Sequence, residues 1–305
     1  MGAHGGMERT GFSPCGKSGV ERTGFSPCEG RTMKLNRLIL PMAMSAMILV
    51  APVPVRASQQ PAVDDWTTIP ADRPMPRRDA NSRIAHEDLL AKAKQGRIDV
   101  YFVGDSITRR WGATDYPQFL AHWRESFFGW NAANFAWGGD RTQHILWRLE
   151  NGELDGLTPR IIVVQAGANN IGNTPGDDAR VADVTRGIKA IVDLCRTKVP
   201  DAVIILTAVF PRGDAALLPE IARINANLAE LADGRQIRFL NLNDKLAGAD
   251  GRLLESVSAD GLHLNLNGYR AWAEGLKPIF TEILGPPAAT DQAPPPTGDP
   301  SARGR

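Results

Sequence analysis

Asp99-Val100-Tyr101-Phe102-Val103 runs directly into Gly104-Asp105-Ser106-Ile107, and Ile161-Ile162-Val163-Val164-Gln165 into Ala166-Gly167-Ala168-Asn169-Asn170. Apart from Asp99 and Gln165, both five-residue runs are apolar without alternation, as strands buried on both faces read. Each then breaks into glycine and short polar residues, where a strand gives way to a loop. Working outward, Ala132–Ala136, Ala202–Ala208 and Ile237–Leu242 are further strand candidates. Between the strands, helical spacing marks Arg83–Gln95, Tyr116–Phe127, Thr142–Glu150, Asp177–Lys198, Leu217–Ala232 and Leu266–Leu284. The fourth is the clearest, with Val181, Val184, Ile188, Ile191 and Cys195 on one face. Alternating strands and helices predict an α/β fold, a three-layer α/β/α sandwich around a five-stranded, mostly parallel sheet.

That pattern occupies residues 79–284 of a 305-residue chain that is 43% hydrophobic and 23% charged, with a net charge of +1. Such a balance excludes collagen-like and wholly disordered chains and exerts no broad pull toward nucleic acid. The ends read differently. Residues 1–32 hold a duplicated octapeptide, Glu8–Cys15 and Glu21–Cys28, too short to build a solenoid. Met33 then opens a leader with basic Lys34 and Arg37, apolar Leu38–Val50, and a small-residue cleavage site at Val55-Arg56-Ala57. The expectation is a start at Met33, residues 1–32 as a mis-called extension, and a signal peptide over 33–57. The product is then periplasmic or secreted, with no stable membrane insertion after cleavage near Ala57. Prolines 41, 52 and 54 count against a spanning anchor. Residues 58–305 carry a net charge of −3 and one cysteine, Cys195, placed in the core by its helical spacing. Residues 58–78, with four prolines, read as an irregular arm. Residues 285–305, rich in Pro, Ala, Thr and Asp, read as a disordered tail.

In parallel sheets, ligands bind beyond the carboxyl ends of the strands. There lie Gly104-Asp105-Ser106-Ile107, Trp137-Gly138-Gly139-Asp140, Gly167-Ala168-Asn169-Asn170 and, before the last helix, Asp260-Gly261-Leu262-His263. A serine hydroxyl needs a base to take its proton, and histidine suits that task near neutral pH. The base needs a carboxylate to hold its tautomer, and Asp260 lies within one turn of His263. The backbone N–H groups of Ser106 and Gly139 with the Asn169 amide would give an oxyanion three donors. Taken singly, each piece has a plainer reading: Ser106 and Asp140 as helix caps, Gly138-Gly139 and Asn169-Asn170 as turns, His263 as a structural imidazole. Asp105 reads as a structural carboxylate that ties down the loop carrying Ser106. It is the convergence on one rim that favours chemistry.

This block order resembles the SGNH (GDSL-type) hydrolases over most of 99–284. Asn134–Thr142, Trp147–Leu154, Pro211-Arg212-Gly213 and Leu262-His263-Leu264 are similar to the platelet-activating-factor acetylhydrolase α-subunit branch. The resemblance implies a flavodoxin-like SGNH fold, with Ser106 as nucleophile, His263 as base and Asp260 orienting it. It also implies an oxyanion hole from Ser106, Gly139 and Asn169, with Ile107, Ala168 and Leu262 around the acyl site. It further implies a carboxylic ester hydrolase of acetylesterase type acting without cofactor or metal, and it leaves room for a homodimer. Export points to an acetylated carbohydrate or small ester as substrate.

Two other readings compete: a lysophospholipase or thioesterase of the same superfamily, and a carbohydrate-binding protein without turnover. Trp111, Trp123, Trp130 and Trp137 would serve the latter as a sugar platform, although such spacing usually marks packing. No His-Glu-x-x-His pair or cysteine cluster points to a metal, and no glycine-rich phosphate loop follows the first strand.

Overall fold

A computed structural model describes residues 68–302. The extension expected over 1–32 and the leader expected over 33–57 lie outside the described residues. The five apolar runs form one sheet: β1 (Val100–Gly104), β2 (Ala132–Asn134), β3 (Ile161–Gln165), β4 (Val203–Thr207) and β5 (Ile237–Leu240). The order is β2-β1-β3-β4-β5, and every neighbouring pair is parallel. The chain leaves β1 toward β2 and then crosses to β3 on the other side, which puts a switch point between β1 and β3. Gly104 stands opposite Gln165 there.

Alternate strand residues feed two cores. Tyr101, Val103, Ile162, Val164, Ile204 and Leu206 pack beneath α1 (Ala80–Ala93), α4 (Thr142–Arg148), α6 (Asp178–Lys198) and α7 (Leu218–Ala229). Val100, Phe102, Ile161, Val163 and Ile205 pack beneath α2 (Ser106–Gly112), α3 (Pro117–Phe127), α8 (Asn243–Leu246) and α9 (Leu266–Leu284). The third strand and last helix keep the boundaries expected from sequence. Three short helices, α2, α5 (Ala168–Ile171) and α8, were not expected; α5 and α8 are single turns, too short for periodicity to show. Among the described residues no helix is long and apolar enough to cross a membrane.

The four tryptophans considered as a sugar platform are 0–7% exposed, and Trp111 and Trp123 pack edge-on against Phe102. They are core. Cys195 is buried as its spacing required.

The C-terminal segment corrects an expectation. Instead of trailing as a disordered tail, residues 286–302 form a strap along the open side of β2. Ala288 N–H donates to Gly129 O at 3.0 Å, Arg97 N–H to Gln292 O at 2.8 Å, and Thr114 N–H to Thr297 O at 3.1 Å. Asn81 Nδ2 donates to Asp299 Oδ1 at 2.8 Å. Composition could not reveal this, because the order comes from backbone hydrogen bonds and close approach rather than an apolar stripe. Gly96 and Gly129 show the closeness: a Cβ on either would lie 2.3 Å from a strap carbonyl. β2 is an edge strand, and edges left bare invite association.

Candidate active site

The turn after β1 is built for tight packing. A Cβ on Gly104 would meet Gln165 O at 2.4 Å and Thr108 Oγ1 at 2.5 Å, so only glycine lets α2 start so close to β3. Asp105, fully buried, caps α2 by accepting from Ile107 N–H at 2.9 Å. Burial pushes its carboxyl up to about 7, against the Ile107 hydrogen bond. That leaves Ser106 at the first helical position, half-buried, with its hydroxyl aimed out of the sheet.

The facing loop precedes α9. Ser106 Oγ lies 2.9 Å from His263 Nε2, and His263 Nδ1 lies 2.7 Å from Asp260 Oδ2. The other oxygen of Asp260 accepts the backbone N–H of His263 at 2.7 Å and of Leu262 at 3.0 Å. Burial opposes ionisation of Asp260, but these hydrogen bonds outweigh it and lower its pKa to about 2. An ionised carboxylate can only accept, so Nδ1 carries the imidazole proton and Nε2 presents a lone pair to Ser106. Burial holds the His263 pKa below its ordinary value, with Arg110 and Arg212 adding to the effect while Asp260 opposes it. The loop is docked by two glycines back to back. Gly213 N–H donates to Gly261 O at 2.8 Å, and a Cβ on Gly213 would lie 3.0 Å from Gly261 Cα.

The other two loops join at the switch point. Trp137 N–H donates to Gly104 O at 3.2 Å, so Gly138-Gly139 sits beside the Ser106 turn. Gly139 has φ +76°, in the region that favours glycine. Asn169 donates one amide hydrogen to Asp140 O at 2.8 Å, which fixes the amide and leaves its second hydrogen for a ligand. Asn170 clamps the same region: Oδ1 accepts Thr142 N–H at 3.0 Å, and Nδ2 donates to Gln143 Oε1 at 2.9 Å. Asp140 does not cap α4, contrary to its simplest sequence reading. It is fully buried and accepts from Arg148 Nε at 2.7 Å, while Arg148 also pairs with buried Glu153. Arg77 reaches over from the arm to donate to Gly138 O at 3.2 Å. The Gly139 turn therefore rests on a buried ionic network, and such networks are costly to break by removing one member.

A serine hydroxyl hydrogen-bonded to an imidazole that a carboxylate holds in turn can carry out acyl transfer. Among the described residues no three His, Cys, Asp or Glu side chains group to hold a metal ion. The model of the GDSL-like Lipase/Acylhydrolase family matches residues 102–271, which span all four loops. The chain belongs to that family. It is a hydrolase. The chain is similar to the platelet-activating factor acetylhydrolase IB subunit alpha1 of Bos taurus, 34% identical over 222 residues, covering 70% of this chain and 90% of that one. It is also similar to the alpha2 subunit of Rattus norvegicus, 35% identical over 205 residues, covering 65% and 83%. A solved GDSL-like lipase from Bacteroides thetaiotaomicron superposes with TM-score 0.51 at 21% identity, over 67% of this chain and 98% of that one, a likeness of fold.

Within this GDSL-like hydrolase, the residues expected to line the acyl site fare unequally. Ile107 is 1% exposed, its carbonyl held by Tyr269 Oη at 2.8 Å, and its side chain belongs to the core behind Ser106. The resemblance placed it around the acyl site; here it supports the Ser106 turn from beneath. Ala168 is also buried, whereas half-buried Leu262 keeps some surface beside His263. Sequence reasoning assigned no role to Arg212, which is 8% exposed and donates to Asn173 Oδ1 at 2.9 Å. It also overlooked the Gly213–Gly261 contact and the Asp140–Arg148–Glu153 network. For the first two, the only signal was Pro211-Arg212-Gly213 following the fourth strand.

Proposed function

We propose that this hydrolase is an exported serine esterase that removes short acyl groups, chiefly acetyl, from hydroxylated acceptors such as carbohydrate. The observation that carries the reading is the unbroken chain from Ser106 Oγ through His263 to Asp260, at 2.9 Å and 2.7 Å. In this mechanism His263 Nε2 takes the Ser106 proton as Oγ attacks the acyl carbon. The N–H groups of Ser106 and Gly139 and the free Asn169 amide hydrogen receive the oxyanion. Collapse breaks the bond to the acceptor oxygen, which leaves with the proton from His263. Water then gives a proton to His263 and attacks the acyl-serine, and Ser106 recovers its proton as the carboxylic acid departs. Asp260 stays ionised and steadies the imidazolium.

A short acyl group is supported by buried Ile107 and Ala168 behind the serine and by the acetylhydrolase names of the relatives. A polar acceptor suits a rim with Arg77 and Arg110. Export rests on the residue pattern at 33–57. The test is hydrolysis of p-nitrophenyl acetate, butyrate and octanoate by residues 58–305, with Ser106→Ala in parallel. Acetate is expected to be fastest by kcat/KM, and Ser106→Ala to lose roughly 10³-fold or more. Preference for octanoate would replace the acetylesterase reading with a lipase or thioesterase. Turnover that survives Ser106→Ala would remove the serine mechanism.

A further inference from the structure

A second concavity lies away from the rim, between α3, the β2 edge and the strap. Its volume is about 390 Å³, within the range of small-ligand sites, and its lining contains none of Ser106, Gly139, Asn169, Asp260 or His263. Trp123 and Phe127 supply one wall and Pro294-Pro295-Pro296 another, with Lys92 and Asn134 also lining it. The three prolines explain why space remains. They have no N–H to give to the β2 edge, so the strap covers that edge without zipping onto it.

Lys92 makes the cavity more than an apolar gap. Only 3% exposed, it extends from α1 to donate to Asn134 O at 2.7 Å, with the Phe135 ring 5.3 Å away. An ammonium has three hydrogens to donate, and that carbonyl is its one acceptor among the described residues. The nearby acids are committed elsewhere. Glu153 is held by Arg148 and by His86, while both Asp291 oxygens accept backbone N–H groups, from Gly129 at 2.6 Å and Ala293 at 2.8 Å. Burial pulls the Lys92 pKa down to about 7 despite Glu153, and an anion at Nζ restores its charge; a buried amine with spare donors beside an aromatic wall selects an anion that carries an apolar body. We propose that this cavity binds a medium-chain or aryl carboxylate, its apolar part against Trp123, Phe127 and the strap prolines and its carboxylate on Lys92 Nζ.

The test is calorimetric titration of the whole protein with sodium decanoate and with decan-1-ol as the uncharged counterpart. It does not depend on turnover at Ser106, so it stands apart from the esterase reading. Lys92→Met keeps the bulk and removes the charge. It should weaken decanoate at least tenfold while changing decan-1-ol less than twofold. Ala293→Trp, at a half-exposed strap position, should fill the cavity and abolish binding of both ligands. It decides the matter if Lys92→Met fails to fold by circular dichroism. No binding of decanoate to the wild type, or binding unaffected by these variants, overturns the proposal.

Discussion

Gly213→Ala isolates the contact that sets the His263 loop against Ser106. Gly213 lies outside the positive-φ region, so alanine brings no backbone strain there, only a methyl 3.0 Å from Gly261 Cα. Ordinary contact begins near 3.4 Å, so the two loops must part by about 0.4 Å. Gly261 directly follows Asp260 and stands two residues before His263. If the shift passes along this short turn, the 2.9 Å Ser106–His263 hydrogen bond lengthens to roughly 3.3 Å, beyond good geometry. A displacement of 1 Å at a reacting group can cost about 10²-fold, so a loss of roughly tenfold in kcat is expected, about 1.4 kcal/mol. KM should change little, because the contact is made between protein loops. Steady-state kinetics with p-nitrophenyl acetate, beside thermal melts, separate the loop shift from unfolding. Gly261→Ala, which adds positive-φ strain at +70° to a similar clash, should lose more activity. Wild-type kcat in Gly213→Ala with an unchanged melt would refute the idea that this contact positions His263.

Three further outcomes follow from the site. The acid limb of kcat/KM should lie below pH 6.5, because His263 must be neutral to act as base and burial with Arg110 and Arg212 lowers its pKa. Arg110→Gln should move that limb to higher pH, and a limb at or above 6.5 in the wild type contradicts the assignment. Gly139→Ala places a methyl 3.2 Å from Arg77 Nη1 at a residue with φ +76°, so it should destabilise by ~1 kcal/mol and lower kcat by roughly 10²-fold through a displaced oxyanion donor. Arg77→Ala in the same chain should restore part of that loss; strict additivity would mean the side chain exerts no steric pressure. His144 is kept neutral down to about 3, first by burial and then by Arg77, Arg141 and Arg148, whereas the unfolded imidazole protonates near 6.5. The unfolded chain therefore binds the proton first, and stability falls with pH from about 6.5 downward. At pH 4.5 the loss should be roughly 2–3 kcal/mol relative to pH 7.5 in urea titrations. His144→Gln should lack that component; an identical pH dependence would rule it out.

The strands were legible because burial on both faces demands apolar runs without alternation, as in Val100–Val103 and Ile161–Val164. The Ser106, Gly139, Asn169, Asp260 and His263 loops could be located because a parallel sheet delivers every strand-following loop to one rim. What escaped is held by contacts without a local signature. The Asp140–Arg148–Glu153 network is interrupted by Gly152, whose φ of +108° turns the chain after α4 and brings Glu153 back onto Arg148. No helical spacing encodes that return. Gly213 and Gly261 each read as a routine turn glycine, and only their meeting gives them a role. For Ile107 the sequence shows that it follows the nucleophile position but not which way the first turn of α2 points it.

The strap imposes an order of events on folding. Residues 286–302 follow all five strands in the chain, yet they close the flank of β2 and support α1 through Asn81. The chain can pair β1, β3, β4 and β5 without this segment but cannot finish the β2 side until it docks. Docking of this segment is therefore the step that completes the edge of the sheet. A protease that trims only this segment would return the molecule to that unfinished state.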